Sequence, residues 1–316
     1  MGGRDAAGGG PVVPVGMTSV APARARVAAW LGSPRVLREL ALASVVVNVV
    51  IVVTGGAVRL TGSGLGCPTW PQCTGSSLTP TKAYSFHGVI EFTNRQLTFV
   101  LGLVAVVTLL AAYRQRRELP LAGLAFLGIP AQAVLGGITV LTDLNPWTVA
   151  AHFLLSMSII AVTTLLWWRL RFGSGVGFAP AVVLGRLIVL TAVIVLALGT
   201  VVTGTGPHAG DKGAKNRIGL DPGGVAQLHA DSVMVLIGLT VGLVVLLRVT
   251  NGGDAAQRAG WWLLGVELAQ GVIGYVQYFT HVPSGLVAAH MLGACLVWIA
   301  ALRVLFTVAP VPARDG

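Results

Sequence analysis

Residues 132–137 read Gln-Ala-Val-Leu-Gly-Gly and residues 150–152 read Ala-Ala-His; residues 270–275 read Gln-Gly-Val-Ile-Gly-Tyr and residues 288–290 again read Ala-Ala-His. The two blocks are 138 residues apart, and in both of them twenty residues separate the glutamine from the histidine. A block that returns with the same internal spacing predicts two halves of the same architecture.

A second pair of matches supports this repeat. Residues 61–64 read Thr-Gly-Ser-Gly and residues 203–206 read Thr-Gly-Thr-Gly, 142 residues later. All of these matches fall at equivalent places in the succession of apolar segments. They predict two halves of four helices in the same membrane orientation, related by an axis along the membrane normal.

The composition assigns the chain to the membrane. Of 316 residues, 54% are hydrophobic and only 10% are charged, whereas a soluble domain carries about 25% charged residues. A water-soluble enzyme and a disordered chain are therefore excluded. Eight segments are long enough to cross a bilayer: 39–60, 86–112, 120–141, 147–168, 181–203, 224–248, 260–280 and 285–306. The expected fold class is an all-α integral membrane protein with eight transmembrane helices as two pseudo-symmetric four-helix bundles.

The basic residues predict the orientation. With a cytoplasmic N-terminus, 15 of the 21 Lys and Arg residues lie inside and 5 lie outside, as the positive-inside rule requires. The net charge of +10 is then an orientation signal, and no nucleic-acid partner is expected. We expect a cytoplasmic disordered tail at 1–34, a first half at 35–172, a second half at 173–308 and a cytoplasmic tail at 309–316, in the plasma membrane.

The six histidines are the most informative polar residues. All of them map near the outer ends of spans or in outer loops: His87, His152, His208, His229, His281 and His290. In the second half, His229 and His290 are predicted at similar depth on helices that face each other across a bundle. Two such imidazoles suit the axial positions of a haem iron. The alternative is that each histidine only bonds a neighbouring helix.

The second predicted span carries a further polar face. His87, Glu91 and Asn94 are spaced i, i+4 and i+7, so they share one side of a helix, and Arg95 follows Glu91 by one turn. Ionisable residues inside a membrane are costly and are candidates for function. Two interpretations stay open. Glu91 and Arg95 form a structural ion pair, or the Glu91 carboxylate serves chemistry at a bound substrate while Arg95 holds that carboxylate or a propionate.

The remaining polar residues are less specific. Cys67 and Cys73 lie in a predicted outer loop, where disulfides are permitted, and a purely structural bridge is one interpretation. Glu267 and Gln270 are expected to bond each other or a neighbouring helix. In the outer loop near 204–223, Lys212, Lys215 and Arg217 either cover a ligand's propionates or are simply solvated.

Three motifs together resemble the haem A synthase family: Glu91-x-x-Asn94-Arg95, residues 64–73 (Gly-Leu-Gly-Cys-Pro-x-Trp-Pro-x-Cys) and the repeated Gln…Ala-Ala-His block. The resemblance covers about residues 40–306. It implies an eight-helix enzyme that oxidises a methyl group of haem O to a formyl group, giving haem A. It also implies a haem b cofactor held by His229 and His290.

The resemblance further implies a site for the substrate haem between the second and fourth helices. His152 and Glu91 match that site, but Asn94 stands where the family usually has a histidine. Asn is not a plausible iron ligand. Either His152 alone binds the substrate iron, or His87 supplies the second imidazole; we favour His87 as a ligand or near neighbour, although it lies about 10.5 Å further along the helix.

The family also suggests a role for the cysteines and for partners. Cys67 and Cys73 are expected to be redox-active thiols near the substrate or a disulfide that shapes the site. The implied partners are haem O synthase, which is a farnesyltransferase, cytochrome c oxidase assembly and the lipid bilayer, and a homo-oligomer is a further expectation. The rival functions are a di-haem b-type cytochrome that exchanges electrons with quinone, and a transporter.

Overall fold

The computed structural model describes residues 23–65, 67, 69–73, 85–172, 177–207 and 217–309. In these ranges every regular element is a helix. They are α1 (Ala23–Leu31), α2 (Pro34–Leu60), α3 (Ser85–Gln115), α4 (Leu119–Leu141), α5 (Pro146–Arg171), α6 (Ala179–Thr205), α7 (Pro222–Val249), α8 (Asp254–Phe279) and α9 (Ser284–Val308). Helices suit a bilayer because each one satisfies its own backbone hydrogen bonds.

Local sequence explains where many of these helices begin. Five of them carry a proline in their first two positions, where its missing N–H is no loss: Pro34, Pro120, Pro146, Pro180 and Pro222. Asn145 and Asp221 cap α5 and α7 by accepting a hydrogen bond from a backbone N–H. These starts place His152 and His229 about two turns inside their helices.

Seven of the described helices are long and apolar enough to cross a membrane, namely α2 to α7 and α9, with α3 counted from His87. Large apolar side chains also cover their outer surfaces; Phe99, Leu103 and Val249 are 73%, 64% and 78% exposed. Such a surface needs lipid around it. The prediction of an α-helical, multi-pass membrane protein is confirmed.

Helix α8 differs from the other seven long helices. The sequence predicts a span at 260–280, but α8 is not among the helices that meet the criterion of length and apolarity. Its apolar residues are interrupted by Glu267, Gln270 and Gln277, and its first turn carries Asp254. It nevertheless packs against both α7 and α9, so its polar residues lie within reach of neighbouring helices.

The packing follows the order of the chain. In the first half, α3 and α5 each pack against both α2 and α4; in the second half, α7 and α9 each pack against both α6 and α8. Contacts of α2 and α5 with α9, and of α5 with α6, join the halves. Across the α5–α9 contact, Trp298 Nε1 donates a hydrogen bond of 2.8 Å to the Met157 carbonyl oxygen.

One N-terminal expectation is corrected. Residues 1–34 were expected to be disordered, but Ala23–Leu31 forms α1 and Pro34 begins α2. Gln115 explains why this segment is ordered, since its Nε2 donates to the carbonyl oxygens of Leu31 at 2.8 Å and Ser33 at 3.0 Å. Residues 1–22 and 310–316 lie outside the described residues, and so do His208, Lys212 and Lys215.

Candidate functional site

The repeated glutamine–histidine block is a contact between consecutive helices. Gln132 Nε2 on α4 donates to the backbone carbonyl of His152 on α5 at 3.1 Å, and it also bonds Ser156 Oγ. Gln270 Nε2 on α8 donates to the carbonyl of His290 on α9 at 2.7 Å. The spacing of twenty residues thus has a structural reason. The glutamine of one helix is hydrogen-bonded to the backbone of the histidine in the next helix.

A glycine one turn after each glutamine makes room for the histidine ring. A Cβ added at Gly136 would lie 3.1 Å from Cε1 of His152, and one added at Gly274 would lie 3.4 Å from Cε1 of His290. Because glycine has no side chain, each imidazole lies close against the backbone of the preceding helix. The two halves therefore hold these rings in the same way.

A third histidine of the second half lies in a similar contact. A Cβ added at Gly199 on α6 would be 3.3 Å from Cε1 and 3.7 Å from Nδ1 of His229 on α7. His229 and His290 are close enough to interact electrostatically. The imidazoles of α7 and α9 are thus within electrostatic range of each other, although these two helices do not pack directly together.

The ring nitrogens of these histidines differ in accessibility. The Nδ1 atoms of His152 and His290 are buried and make no hydrogen bond with any described residue, whereas each residue as a whole is only half-buried. The edge of each imidazole ring that a ligand can reach is therefore the one that carries Nε2. A neutral imidazole with an available Nε2 is a common ligand of transition metals.

Asn94 on α3 contacts the neighbouring helix α2. Its Oδ1 accepts a hydrogen bond of 2.8 Å from Thr54 Oγ1 on α2. A Cβ added at Gly55, also on α2, would lie 3.8 Å from Asn94 Nδ2. Asn94 therefore faces a glycine of α2 much as His229 faces a glycine of α6, but its amide bonds the neighbouring helix.

His87 lies near the start of α3. It is an exposed residue, and its Nδ1 is hydrogen-bonded to Ser63 Oγ at 2.9 Å. Ser63 is also hydrogen-bonded to Thr61. Seven residues separate His87 from Asn94, which is about 10.5 Å along the helix. The two side chains are thus at different depths, as the spacing predicts.

Glu91 and Arg95 form an ion pair, and both hold the loop that contains the cysteines. Arg95 Nε and Nη2 lie 3.1 and 2.5 Å from Glu91 Oε1. The backbone N–H of Cys67 donates to Glu91 Oε2 at 2.6 Å. Arg95 also donates to the carbonyl oxygens of Cys67 at 2.9 Å, Thr69 at 3.1 Å and Gln72 at 3.4 Å. Glu91 is 5% exposed, so the ion pair and hydrogen bonds that hold the loop against α3 are nearly buried.

The cysteines themselves are bridged. Cys67 and Cys73 form a disulfide, as expected, and both residues are buried. Between them Trp70 packs against α4, because a Cβ added at Gly137 would collide with the indole ring. Gly137 follows Gly136, which receives His152. The disulfide loop is therefore bound to α3 by Glu91 and Arg95 and packs on α4 at the glycine that follows Gly136.

Comparison with known proteins gives the family. The COX15-CtaA family of cytochrome oxidase assembly proteins matches residues 38–209, from α2 beyond the end of α6. The chain belongs to this family. The match includes Glu91, Arg95, the disulfide loop and His152. It ends before His229 and His290, whose assignment rests on the repeat and on the glycine contacts.

Several curated relatives carry the name Heme A synthase. The protein of Geobacillus thermodenitrificans is 31% identical over 153 residues, which are 47% of this chain and 46% of the relative. The protein of Lysinibacillus sphaericus is 36% identical over 137 residues, 42% of this chain and 44% of the relative. A Listeria monocytogenes protein is 32% identical over 140 residues. The chain spans just under half the length of these relatives.

Reasoning from the sequence missed the glycine contacts and the packing of Trp70. Gly136 and Gly274 each follow the repeated glutamine by four residues, so the repeat itself carried a signal for them. Gly199 and Trp70 have no such marker, because their contacts join segments whose relative position the sequence does not state. Thr54, which bonds Asn94, was missed for the same reason.

Proposed function

We propose that this protein is a haem A synthase, a membrane oxidoreductase that converts a methyl group of haem O into a formyl group. One observation carries the proposal: histidines in both halves lie against glycines of the preceding helix, and Nε2 of each ring is left to a ligand. The ion-paired carboxylate of Glu91, on a helix of the first half, supports it. The family and the names of the relatives support the same reaction.

The second half fits a haem b cofactor. The donor set is two imidazoles, from His229 and His290, and the glycines beside them leave the rings close to the helix backbones. The buried Nδ1 of His290 has no hydrogen bond to the described residues, so Nε2 is the atom that would hold the iron. When bound, the haem would supply one-electron transfer.

We propose that the first half binds haem O with His152 as the ligand of the substrate iron. Asn94 then lies where a second imidazole would be expected, and its bond to Thr54 keeps it as part of the α2–α3 contact. His87 is a near neighbour of the substrate at the outer rim in this proposal, since its bond to Ser63 holds it there.

The reaction needs a place for charge and protons. If water supplies the oxygen, oxidation of the methyl to an alcohol and then to a gem-diol releases four electrons and four protons, and loss of water gives the aldehyde. Glu91 would stabilise positive charge at that carbon or accept those protons. Arg95 orients the Glu91 carboxylate, and we propose that the disulfide of Cys67 and Cys73 shapes the rim around it.

The same proposal extends to the topology. We propose α8 as an eighth span, and two four-helix bundles, α2 to α5 and α6 to α9, as the two halves. Cytoplasmic termini would put the disulfide loop and the histidine level on the outer side. Haem O synthase would supply the substrate and oxidase assembly would use the product; self-association stays a prediction.

Haem extraction tests this proposal. The protein is purified from cells that make haem O, its haems are extracted, and they are identified by chromatography, with Glu91→Gln as the matched variant. Haem A or hydroxylated haem O in the wild type, reduced at least tenfold in Glu91→Gln, is the expected result. Haem B alone would indicate an electron-carrying cytochrome, and a protein without haem would support a transporter.

A further inference from the structure

Helix α8 carries a carboxylic acid for which the proposed reaction has no use so far. Glu267 is 2% exposed. Its Oε1 accepts a hydrogen bond of 2.9 Å from Thr240 Oγ1 on α7, and its Oε2 is buried without a hydrogen-bond partner among the described residues. A buried carboxyl oxygen without a donor is unusual, because leaving a polar atom unpaired in the interior costs free energy.

The surroundings offer this carboxyl no fixed counter-charge. Within the described residues, no salt bridge joins Glu267 to a cation. The other charged groups of α7, α8 and α9 are all exposed: Asp231, Arg248, Asp254, Arg258 and Arg303. The remaining ionisable groups of these helices are the histidines His229 and His290, the exposed phenols of Tyr275 and Tyr278, and the buried thiol of Cys295. A negative charge on Glu267 is therefore uncompensated unless something nearby carries positive charge.

The nearest candidate for such a charge is the proposed haem site. Glu267 precedes Gly274, which contacts His290, by seven residues, or about 10.5 Å along α8. Thr240 follows His229 by eleven residues, or about 16.5 Å along α7. The carboxyl thus lies roughly 14 Å from the level of the two imidazoles, inside the protein and away from the solvent that would screen it.

We propose that Glu267 is a proton-binding site linked to the oxidation state of the haem held by His229 and His290. Glu267 binds its proton more tightly when that haem holds an electron, so proton uptake accompanies reduction and proton release accompanies oxidation. The proton offsets part of the charge that the electron adds to the helix bundle. This inference rests on the proposed function, in which oxidation of the substrate methyl supplies both the electrons and the protons.

The size of the linkage follows from the separation. Two unit charges roughly 14 Å apart, in an effective dielectric constant of about 20, interact by an amount that changes a proton affinity about sevenfold. Converted for a one-electron couple, this is a shift of about 50 mV in midpoint potential between the protonated and deprotonated protein. The shift should occur only across the pH range in which Glu267 titrates.

A redox titration at several pH values tests the linkage. The purified holoprotein is titrated electrochemically while the haem absorbance is recorded, in the wild type, in Glu267→Gln and in Asp254→Asn. Glu267→Gln keeps an oxygen for Thr240 but cannot ionise; Asp254→Asn removes an exposed charge from the same helix. The wild type and Asp254→Asn should show the sevenfold linkage, and Glu267→Gln should lose it.

Infrared difference spectra of the oxidised and reduced protein provide a second readout. The wild type should show a carboxylic-acid C=O band that is absent in Glu267→Gln. Equal pH dependence in all three proteins, or a band that survives in Glu267→Gln, overturns the proposal while leaving the haem site intact. Purified protein that holds no haem on His229 and His290 would overturn the proposed function as well, so the two failures are distinguishable.

Discussion

Replacing Arg95 by glutamine should loosen the disulfide loop. In the wild type, Arg95 is the cation that holds the loop through its backbone carbonyls, and Cys67 and Cys73 are 0% and 1% exposed. A reductant can therefore reach the disulfide only when the loop opens. Glutamine in Arg95→Gln keeps an N–H donor near Glu91 but is too short to reach the loop carbonyls.

The magnitude follows from the bonds that are lost. The two shorter ones, to Cys67 at 2.9 Å and Thr69 at 3.1 Å, have a charged donor, and such bonds contribute about 1.5–3 kcal/mol each. The Arg95 side chain is 21% exposed, so we take the lower value, about 3 kcal/mol in total. The open population should then rise roughly 100-fold.

The assay measures how fast a hydrophilic dithiol reduces the disulfide in the folded protein. Samples are quenched, denatured, alkylated and weighed by mass spectrometry, where three alkyl groups mark reduced protein and one marks the bridged form with free Cys295. Arg35→Gln is the control, since Arg35 pairs with Glu39 on an exposed surface. A reduction rate in Arg95→Gln within about threefold of the control would show that Arg95 does not hold the disulfide loop closed.

Three further substitutions test the site. His290→Ala should remove the haem absorbance of the second half, whereas His281→Ala, an exposed residue at a helix end, should retain it. Gly136→Ala should lower the affinity for haem O about tenfold, because the new methyl lies 3.1 Å from the histidine ring; Gly265→Ala has no atom within 4 Å and should bind normally in the same titration. Asn94→His should convert the spectrum of bound haem O to that of a bis-imidazole complex, and an unchanged spectrum would show that position 94 does not face the iron.

Much of the fold is predictable from the sequence because the membrane restricts it. A span needs about 20 apolar residues, so the predicted limits of 224–248 and 285–306 differ from α7 and α9 by only one or two residues. Helix α8 is the one long helix of the described residues that does not meet the criterion of length and apolarity. Its Glu267 and Gln270 side chains are hydrogen-bonded to neighbouring helices, and the mean hydropathy of the helix does not take these bonds into account.

The site was predictable where it depends on helical periodicity. Glu91 and Arg95 are one turn apart, so their ion pair follows from the spacing. That both also hold the Cys67 backbone does not follow, because no pattern states how an irregular loop folds back onto a helix. The expectation that Glu267 and Gln270 bond each other or a neighbouring helix is confirmed in its second form, since Gln270 donates to the His290 backbone on α9 and Glu267 accepts from Thr240 on α7.

The proposal that this chain makes haem A can be tested by supplying the purified protein with its substrate. Haem O is added to the purified protein in lipid vesicles with an electron acceptor, and the haems are extracted and separated over time. Haem A, preceded by the alcohol, should form in the wild type, and the rate should be at least tenfold lower in Glu91→Gln. Haem O that is bound by the wild type but recovered unchanged would show that the protein is not a haem A synthase.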